Sequence, residues 1–197
     1  MENKMFEIIT GRTAVRTYQE PDCFELSGED FFLELPGLGR CEVHVKRHVL
    51  SFCGKEYDYH CVKCEDAAYL LGFDGKALYY DAESKKAVLA DGKDLFVSEP
   101  DAGENALLRW EVNLTFAAGY TLLCRFGAET LAIGEDSFPV RYARLTDDLY
   151  FVQADTPDGC LVMVLDIARF LMVGALNGAL TLGGYLEIPK EPPKPAQ

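Results

Sequence analysis

The chain has 197 residues, of which 49% are apolar, 12% aromatic and 26% charged, and its formal net charge is −13. This composition is too apolar for a disordered chain and suits one domain, or two small interlocked halves, with a real core. The negative charge, without a basic stripe that carries aromatic residues, argues against nucleic acid and anionic membrane surfaces as partners.

The N-terminal sequence MENKMFEIIT lacks the basic region, the long apolar run and the cleavage site of a secretory signal. Seven cysteines, an odd number, then fit reduced thiols better than a disulfide framework. We therefore expect a cytoplasmic protein whose cysteines act as small buried apolar residues. Residues 1–20 are interpreted as a helical segment, with one short helix over 6–17.

From residue 21 onward, β-branched and aromatic runs alternate with Gly, Asp and Pro turns, which predicts an all-β fold of short strands. In the first half, residues 21–98, we predict strands over 31–35, 41–52, 56–64, 69–73 and 77–80. In the second half, residues 107–188, we predict strands over 110–116, 120–126, 140–145, 150–154, 160–166, 170–174 and 179–188. Residues 99–106 are a predicted linker, and the proline-rich residues 189–197 a disordered tail.

A spaced set of side chains recurs along the chain and suggests two similar halves. Lys63, Asp66, Tyr69 and Asp74 recur 81 positions later as Arg144, Asp147, Tyr150 and Asp155, and Asp81 matches Asp166 after a short insertion. Asp66 and Asp147 are interpreted as turn residues, because Asp side chains bond the local backbone. The repeat favours an antiparallel barrel that the two halves close around a cavity.

The stretch PVRYARLTDDLYFVQADTPDG, followed by CLVMVLDIARFLMVGALNG, resembles the barrel core of the molybdenum-cofactor biosynthesis protein F-like family. It is also similar to phenolic acid decarboxylases, and YDYHCVKCEDAAYLLGFDGKALYYD resembles the same unit more loosely. The resemblance implies a calycin, lipocalin-like barrel and, from the decarboxylases, a cofactor-free lyase acting on hydroxycinnamic acids. Those enzymes carry a glutamate before the proline where this chain has Thr156 before Pro157, so their proton donor does not carry over.

Aromatic and arginine side chains on the predicted strands are the candidate ligand-binding residues. The set comprises Tyr57, Tyr59, Trp110, Tyr142, Arg144 and Tyr150. Arginine grips a carboxylate with two hydrogen bonds, and tyrosine hydroxyls orient or protonate a bound phenol.

His44 and His48 extend this candidate set, since with Lys46 they share one face of a predicted strand. If that face is inside, it forms a partly cationic wall that suits a carboxylate or a metal. If it is outside, it is solvated surface.

Cys61 and Cys64 have the spacing of half a zinc site, but the chain has no second Cys-x-x-Cys pair. A three-residue step along a strand also sends the two sulfurs to opposite faces. We therefore expect neither a metal nor another cofactor.

These observations favour a protein that binds an aromatic or other apolar acid in a barrel cavity, and they leave open a cofactor-free lyase or isomerase activity. One alternative is a non-enzymatic protein-interaction module of the same fold. Another is a metal-dependent enzyme that uses His44 and His48. A homodimer is expected as well, because the edge strands of a partly open barrel need covering.

Overall fold

A computed structural model describes residues 22–101, 103, 105–108, 110–116 and 121–188. Within these ranges the chain forms seventeen strands and no helix, which confirms the prediction of an all-β fold. The described residues accordingly contain no helix long and apolar enough to cross a membrane. The helical segment predicted over residues 1–20 and the predicted tail over 189–197 lie outside them.

The first part of the chain forms two antiparallel sheets in which sequential strands are neighbours. The four-stranded sheet comprises β1 (Asp30–Leu35), β2 (Gly39–Val45), β3 (Val49–Phe52) and β4 (Lys55–Asp58). The five-stranded sheet comprises β5 (His60–Lys63), β6 (Ala68–Phe73), β7 (Lys76–Asp81), β8 (Ala87–Asp91) and β9 (Asp94–Val97). The two sheets share one core, in which Leu50 and Phe52 of the first sheet pack in the same cluster as Leu71 and Leu78 of the second.

The second part of the chain closes into an eight-stranded antiparallel barrel. Its strands are β10 (Glu111–Phe116), β11 (Thr121–Phe126), β12 (Thr130–Ile133), β13 (Asp136–Arg144), β14 (Leu149–Thr156), β15 (Gly159–Asp166), β16 (Leu171–Leu176) and β17 (Ala179–Glu187). Each strand pairs with the next, and β17 pairs back with β10 through Asn113 and Glu187. The barrel wall therefore comes from residues 111–187 alone, and the similarity of the two halves stays a prediction.

Side-chain alternation fills the barrel. On β14, Tyr150, Val152 and Ala154 point into the interior cluster, to which every barrel strand contributes at least one apolar side chain. An eight-stranded barrel is just wide enough for side chains to fill its interior. Apolar side chains, Phe126 and Met163 among them, line the barrel core.

The other face of β14 builds the contact between the barrel and the five-stranded sheet. Phe151 packs with outward side chains of β13, β15 and β16 against β6, β7 and β8, where Tyr79 is the largest partner. Lys86 Nζ donates hydrogen bonds to the backbone carbonyls of Arg144 (3.1 Å) and Leu145 (2.8 Å) across this contact. The barrel and the preceding sheets are thus joined by a third apolar core.

Two of the predicted strands are wrong in their extent. The run 41–52 is broken after β2, because Lys46, Arg47 and His48 form an exposed turn before β3. The run 56–64 is divided between β4 and β5, which belong to different sheets. The change of sheet leaves Tyr59 between them as the connecting residue.

The expectation of seven reduced thiols is wrong for one pair, since Cys41 and Cys53 form a disulfide, with their Cα atoms 4.8 Å apart. Cys41 lies on β2, and Cys53 lies in the turn between β3 and β4. That turn brings the two residues together although they lie 12 positions apart. The remaining cysteines are free thiols: Cys23, Cys61, Cys64, Cys124 and Cys160.

Candidate functional site

A groove with a volume of about 550 Å³ lies on the outside of the barrel, where β14 to β17 face the end of β5. Its apolar lining residues are Leu149, Val164, Leu171, Met172 and Val173. Its polar lining comes from Lys63, Cys64, Asp166 and Tyr185. β17 contacts β5 and β6 beside the groove, and part of the outer face of β16 and β17 is left exposed there, at Leu171 and Tyr185.

Lys63 is the only cation among the lining residues, and it is already paired. Its Nζ lies 2.7 Å from Glu25 Oε2, and the same carboxylate oxygen accepts a hydrogen bond of 3.1 Å from the Tyr69 hydroxyl. These hydrogen bonds lower the pKa of Glu25, while the bond to Glu25 raises the pKa of Lys63. Lys63 thus brings little uncompensated positive charge to the groove.

Cys64 contributes a thiol rather than a thiolate. Burial raises its pKa well above the usual value, and the nearby Cys61 and Glu65 add to that effect. A thiol held in its neutral form is a poor nucleophile. Cys64 is therefore part of the wall of the groove.

Asp166 is the buried acid of the groove, at the C-terminal end of β15. Its Oδ1 accepts a hydrogen bond of 2.8 Å from the Arg169 backbone N–H. Its Oδ2 is buried, forms no hydrogen bond within the described residues, and makes an ion pair with Arg169 Nε at 3.6 Å. Arg169 therefore holds both oxygens of this carboxylate.

Four of the predicted ligand residues meet at one end of the barrel, where β10 begins, β13 ends and β14 begins. Trp110 and Tyr142 pack on the barrel core there, and Tyr150 is buried within it. Arg144 stands directly opposite Tyr150 in the ladder between β13 and β14. Four of the eight predicted residues thus lie at the same end of the barrel, and their role in binding stays a prediction.

The hydroxyls of Tyr142 and Tyr150 and the two terminal nitrogens of Arg144 are engaged within the protein, while Arg144 Nε is buried without a hydrogen-bond partner among the described residues. The Tyr142 hydroxyl donates to the Gly127 carbonyl (2.8 Å), and the Tyr150 hydroxyl donates to the Asp147 carbonyl (3.1 Å). Arg144 binds the carboxylates of Asp101 and Asp147. Burial raises the pKa of Tyr142, which keeps its hydroxyl a donor. These residues hold the barrel end together with few groups left over for a ligand.

Tyr57 and Tyr59 lie in the other unit, where they pack on the core between the two sheets. The Tyr57 ring stands 5.3 Å from the ring of Phe73. The Tyr59 hydroxyl donates to the Lys46 carbonyl at 2.8 Å, and burial raises its pKa to about 12. The two tyrosines do not share a cavity with the four residues at the barrel end.

His44 and His48 lie outside the core, which decides between the two interpretations of their strand. Val43 and Val45 are buried, so the alternate residue His44 faces out, where its Nδ1 lies 2.7 Å from Asp30 Oδ1. The hydrogen bond to Asp30 raises the pKa of His44. His48 lies in the turn after β2, and its ring meets that of Phe24 at 5.6 Å.

Among the described residues no three His, Cys, Asp or Glu side chains come together in a way that could hold a metal ion. Cys61 packs on the core between the two sheets, whereas Cys64 packs on the contact with the barrel. The two sulfurs thus lie on opposite faces of the five-stranded sheet, as their spacing predicts.

No protein-family model and no curated protein matches this chain. The site therefore has to be judged by its own geometry. None of the eight predicted residues lines the groove.

The groove is not apparent from the sequence, because its walls come from distant parts of the chain. Lys63 and Tyr185 become neighbours only through the contact of β5 with β17. One signal was available: Asp166 is an acid within a strongly apolar run, and an acid in such a run is either paired or functional.

Proposed function

We propose that the protein binds a small, largely apolar molecule in the groove between the barrel and the five-stranded sheet. The observation that carries this proposal is a volume of about 550 Å³ with apolar walls and a few polar groups. Ligand pockets of proteins typically enclose about 300–1,000 Å³ and have this type of lining. The groove therefore suits a molecule with one or two rings.

The barrel interior is the weaker place for the ligand that the sequence predicts. Buried apolar side chains such as Phe126, Tyr150 and Met163 line it. An aromatic or apolar acid also needs a free cation, whereas Arg144 is paired with Asp101 and Asp147. For these reasons the proposal moves the site from the interior to the outer face of β16 and β17.

The closed order of eight antiparallel strands supports assignment of the barrel to the calycin, lipocalin-like type, and it is compatible with the molybdenum-cofactor biosynthesis protein F-like resemblance. We propose that the barrel is of this type. A decarboxylase activity receives no support, because Thr156 stands at the position of the acid and its hydroxyl donates to the Gly159 carbonyl in its own turn. The proposed function is binding, without a catalysed reaction.

A second candidate function is a protein-interaction module that pairs two copies of the chain. It is favoured by three exposed apolar side chains at the rim of the groove, Phe170 (51%), Leu171 (40%) and Tyr185 (64%). Leu171 and Tyr185 are direct neighbours in the ladder between β16 and β17. Contiguous exposed apolar surface of this kind commonly marks an interface.

The proposed function can be tested with N-phenyl-1-naphthylamine, an apolar fluorophore whose emission rises in an apolar site. Val173→Phe places a larger side chain in the groove, and Val49→Phe makes the same change at a half-buried position of β3 that does not line it. We expect saturable binding that weakens about tenfold in Val173→Phe and stays within about twofold in Val49→Phe.

Absence of saturable binding, or equal loss in both variants, contradicts the proposal. If the fluorophore does not bind and sedimentation velocity shows a dimer that Tyr185→Ser dissociates, the second candidate function replaces it.

A further inference from the structure

The segment 22–25, which precedes β1, runs beside β5 in the same direction and at one constant offset. Asp22 Oδ1 lies 3.1 Å from His60 Nδ1, and Glu25 Oε2 lies 2.7 Å from Lys63 Nζ. Both pairs are 38 positions apart in the chain. Two ion pairs with the same offset fix which residue of the segment faces which residue of β5.

This register places two free cysteines side by side. Cys61 follows Cys23 by the same 38 positions, and the Cys23 backbone N–H donates a hydrogen bond of 2.7 Å to the Cys61 carbonyl. Hydrogen-bonded neighbours in extended chains have their Cα atoms about 5.5 Å apart, and disulfides span about 4.4–6.8 Å between Cα atoms. The backbone therefore holds the two cysteines at a separation that a disulfide can bridge.

The two side chains also lie on the same face of β5. Cys61 is buried in the core between the two sheets, and the partly buried Cys23 packs on that same core. Val62 and Cys64, which point the other way, pack on the contact with the barrel. Because a disulfide needs Cβ atoms that point toward each other, Cys23 is placed to pair with Cys61 and not with Cys64.

The two thiols differ in exposure, which sets the order in which they react. Cys61 is only 1% exposed, and burial raises its pKa, so it stays mostly a neutral thiol. Cys23 is partly exposed to solvent. An oxidant therefore meets Cys23 first, and Cys61 is the thiol that completes the disulfide.

We infer that Cys23 and Cys61 form a reversible disulfide, with a small disulfide such as glutathione disulfide as the oxidant. The Cys23 thiolate attacks one sulfur of glutathione disulfide, and the first glutathione leaves as a thiolate. Cys61 then attacks Cys23 Sγ of the mixed disulfide, and the second glutathione leaves. Two protein thiols are oxidised to one disulfide, one glutathione disulfide is reduced to two glutathione molecules, and the protons of the protein thiols pass to the leaving thiolates.

The product is a covalent tie between the segment 22–25 and β5. This inference does not depend on the proposed function, because neither Cys23 nor Cys61 lines the groove. The chain already forms one disulfide in the same unit, between Cys41 and Cys53. The proposed pair is a second and separate one.

Peptide mapping tests the inference directly, because trypsin places each of these cysteines on a peptide of its own. The peptides are 17–40 for Cys23, 56–63 for Cys61 and 64–76 for Cys64. The full chain is equilibrated with reduced and oxidised glutathione, its free thiols are blocked with N-ethylmaleimide, and the digest is analysed by mass spectrometry. Peptide 17–40 should first carry a glutathione adduct and then be linked to 56–63, and excess reduced glutathione should reverse the link.

Thermal unfolding provides a second measurement, since a cross-link over 38 positions restricts the unfolded chain. In oxidising buffer the parent should have a Tm about 5–10 °C above that of Cys23→Ser, and with excess reductant the two values should agree within about 2 °C. Cys64→Ser is the matched control, because it removes a thiol close to Cys61 in the chain but on the other face of the sheet. It should keep both the link and the higher Tm.

The mapping of the parent chain needs no variant, so it decides the matter even if a substitution prevents folding. A Cys23 that stops at the glutathione adduct, or that links to peptide 64–76 as readily as to 56–63, overturns the inference. Equal yields of the link in the folded chain and in 8 M urea, about the concentration that unfolds most domains, also overturn it, because the folded register would then play no part.

Discussion

At the scale of single residues, an acid beside the groove makes the free energy of unfolding depend on pH. Glu65 is the clearest case, because burial raises its pKa above the ordinary value of 4.5 and neighbouring carboxylates add to the shift. In the unfolded chain its pKa returns to the ordinary range. As the pH rises through this window, the unfolded state releases the proton first, and folding becomes less favourable.

Replacement of Glu65 by Gln removes this pH-dependent destabilisation. We expect Glu65→Gln to have a larger free energy of unfolding than the parent at about pH 7, and the difference to disappear when the pH falls below the ordinary value of Glu65. Urea unfolding at a series of pH values measures it. Glu83→Gln, at an exposed position in the turn after Asp81, is the control and should follow the parent. A gain that is the same at every pH would assign the effect to packing instead.

At the scale of elements, the hairpin turns decide how closely the barrel approaches the five-stranded sheet. Gly178, in the turn between β16 and β17, has φ of 75°, and a Cβ there would stand 2.8 Å from Gly75 N and 2.9 Å from the Lys76 carbonyl oxygen. Two turns of different sheets thus touch backbone to backbone. Gly134, between β12 and β13, has φ of 62° but nothing within 4 Å of its Cβ position.

These two glycines separate backbone strain from close packing. Gly134→Ala should cost about 1 kcal/mol of unfolding free energy, from the left-handed conformation alone. Gly178→Ala adds a collision with backbone atoms that cannot move aside, so it should cost about 3 kcal/mol. Denaturant titration of both variants checks the difference. Equal losses would show that the two turns separate without cost.

The strands also show which parts of the fold could be predicted from the sequence. The alternation of polar and apolar residues correctly indicated short strands, and the predicted strand over 150–154 lies within β14. The break at Lys46–His48 was missed, because three polar residues suit a solvated strand face as well as a turn. The groove could not be predicted at all, since it depends on which sheet edges meet.

At the scale of the whole molecule, the contact around Phe151 couples the barrel to the sheets that precede it. It buries apolar side chains from both partners, and Lys86 adds hydrogen bonds to the turn after β13. Without this contact, the outer faces of β14 and β15 would be exposed and apolar. We therefore expect residues 22–188 to unfold as one cooperative unit.

The position of Trp110, the single tryptophan of the chain, allows a direct measurement. Its emission reports on the barrel end, whereas far-ultraviolet circular dichroism reports on every strand. The two signals should show the same midpoint in urea, and Phe151→Ala should lower both by the same amount, corresponding to about 3–5 kcal/mol. Midpoints that separate would mean that the barrel and the sheets unfold independently.

The pairing of β10 with β17 has a consequence for the connectivity of the chain. A ring in which each strand bonds its sequence neighbour, with the first also bonded to the last, has no preferred starting strand. Circular permutants that join residue 188 to 110 and open at another turn, such as that of Gly134, keep every ladder of the ring. Such a permutation also leaves unchanged the outer face of β13 to β16 that packs on the five-stranded sheet.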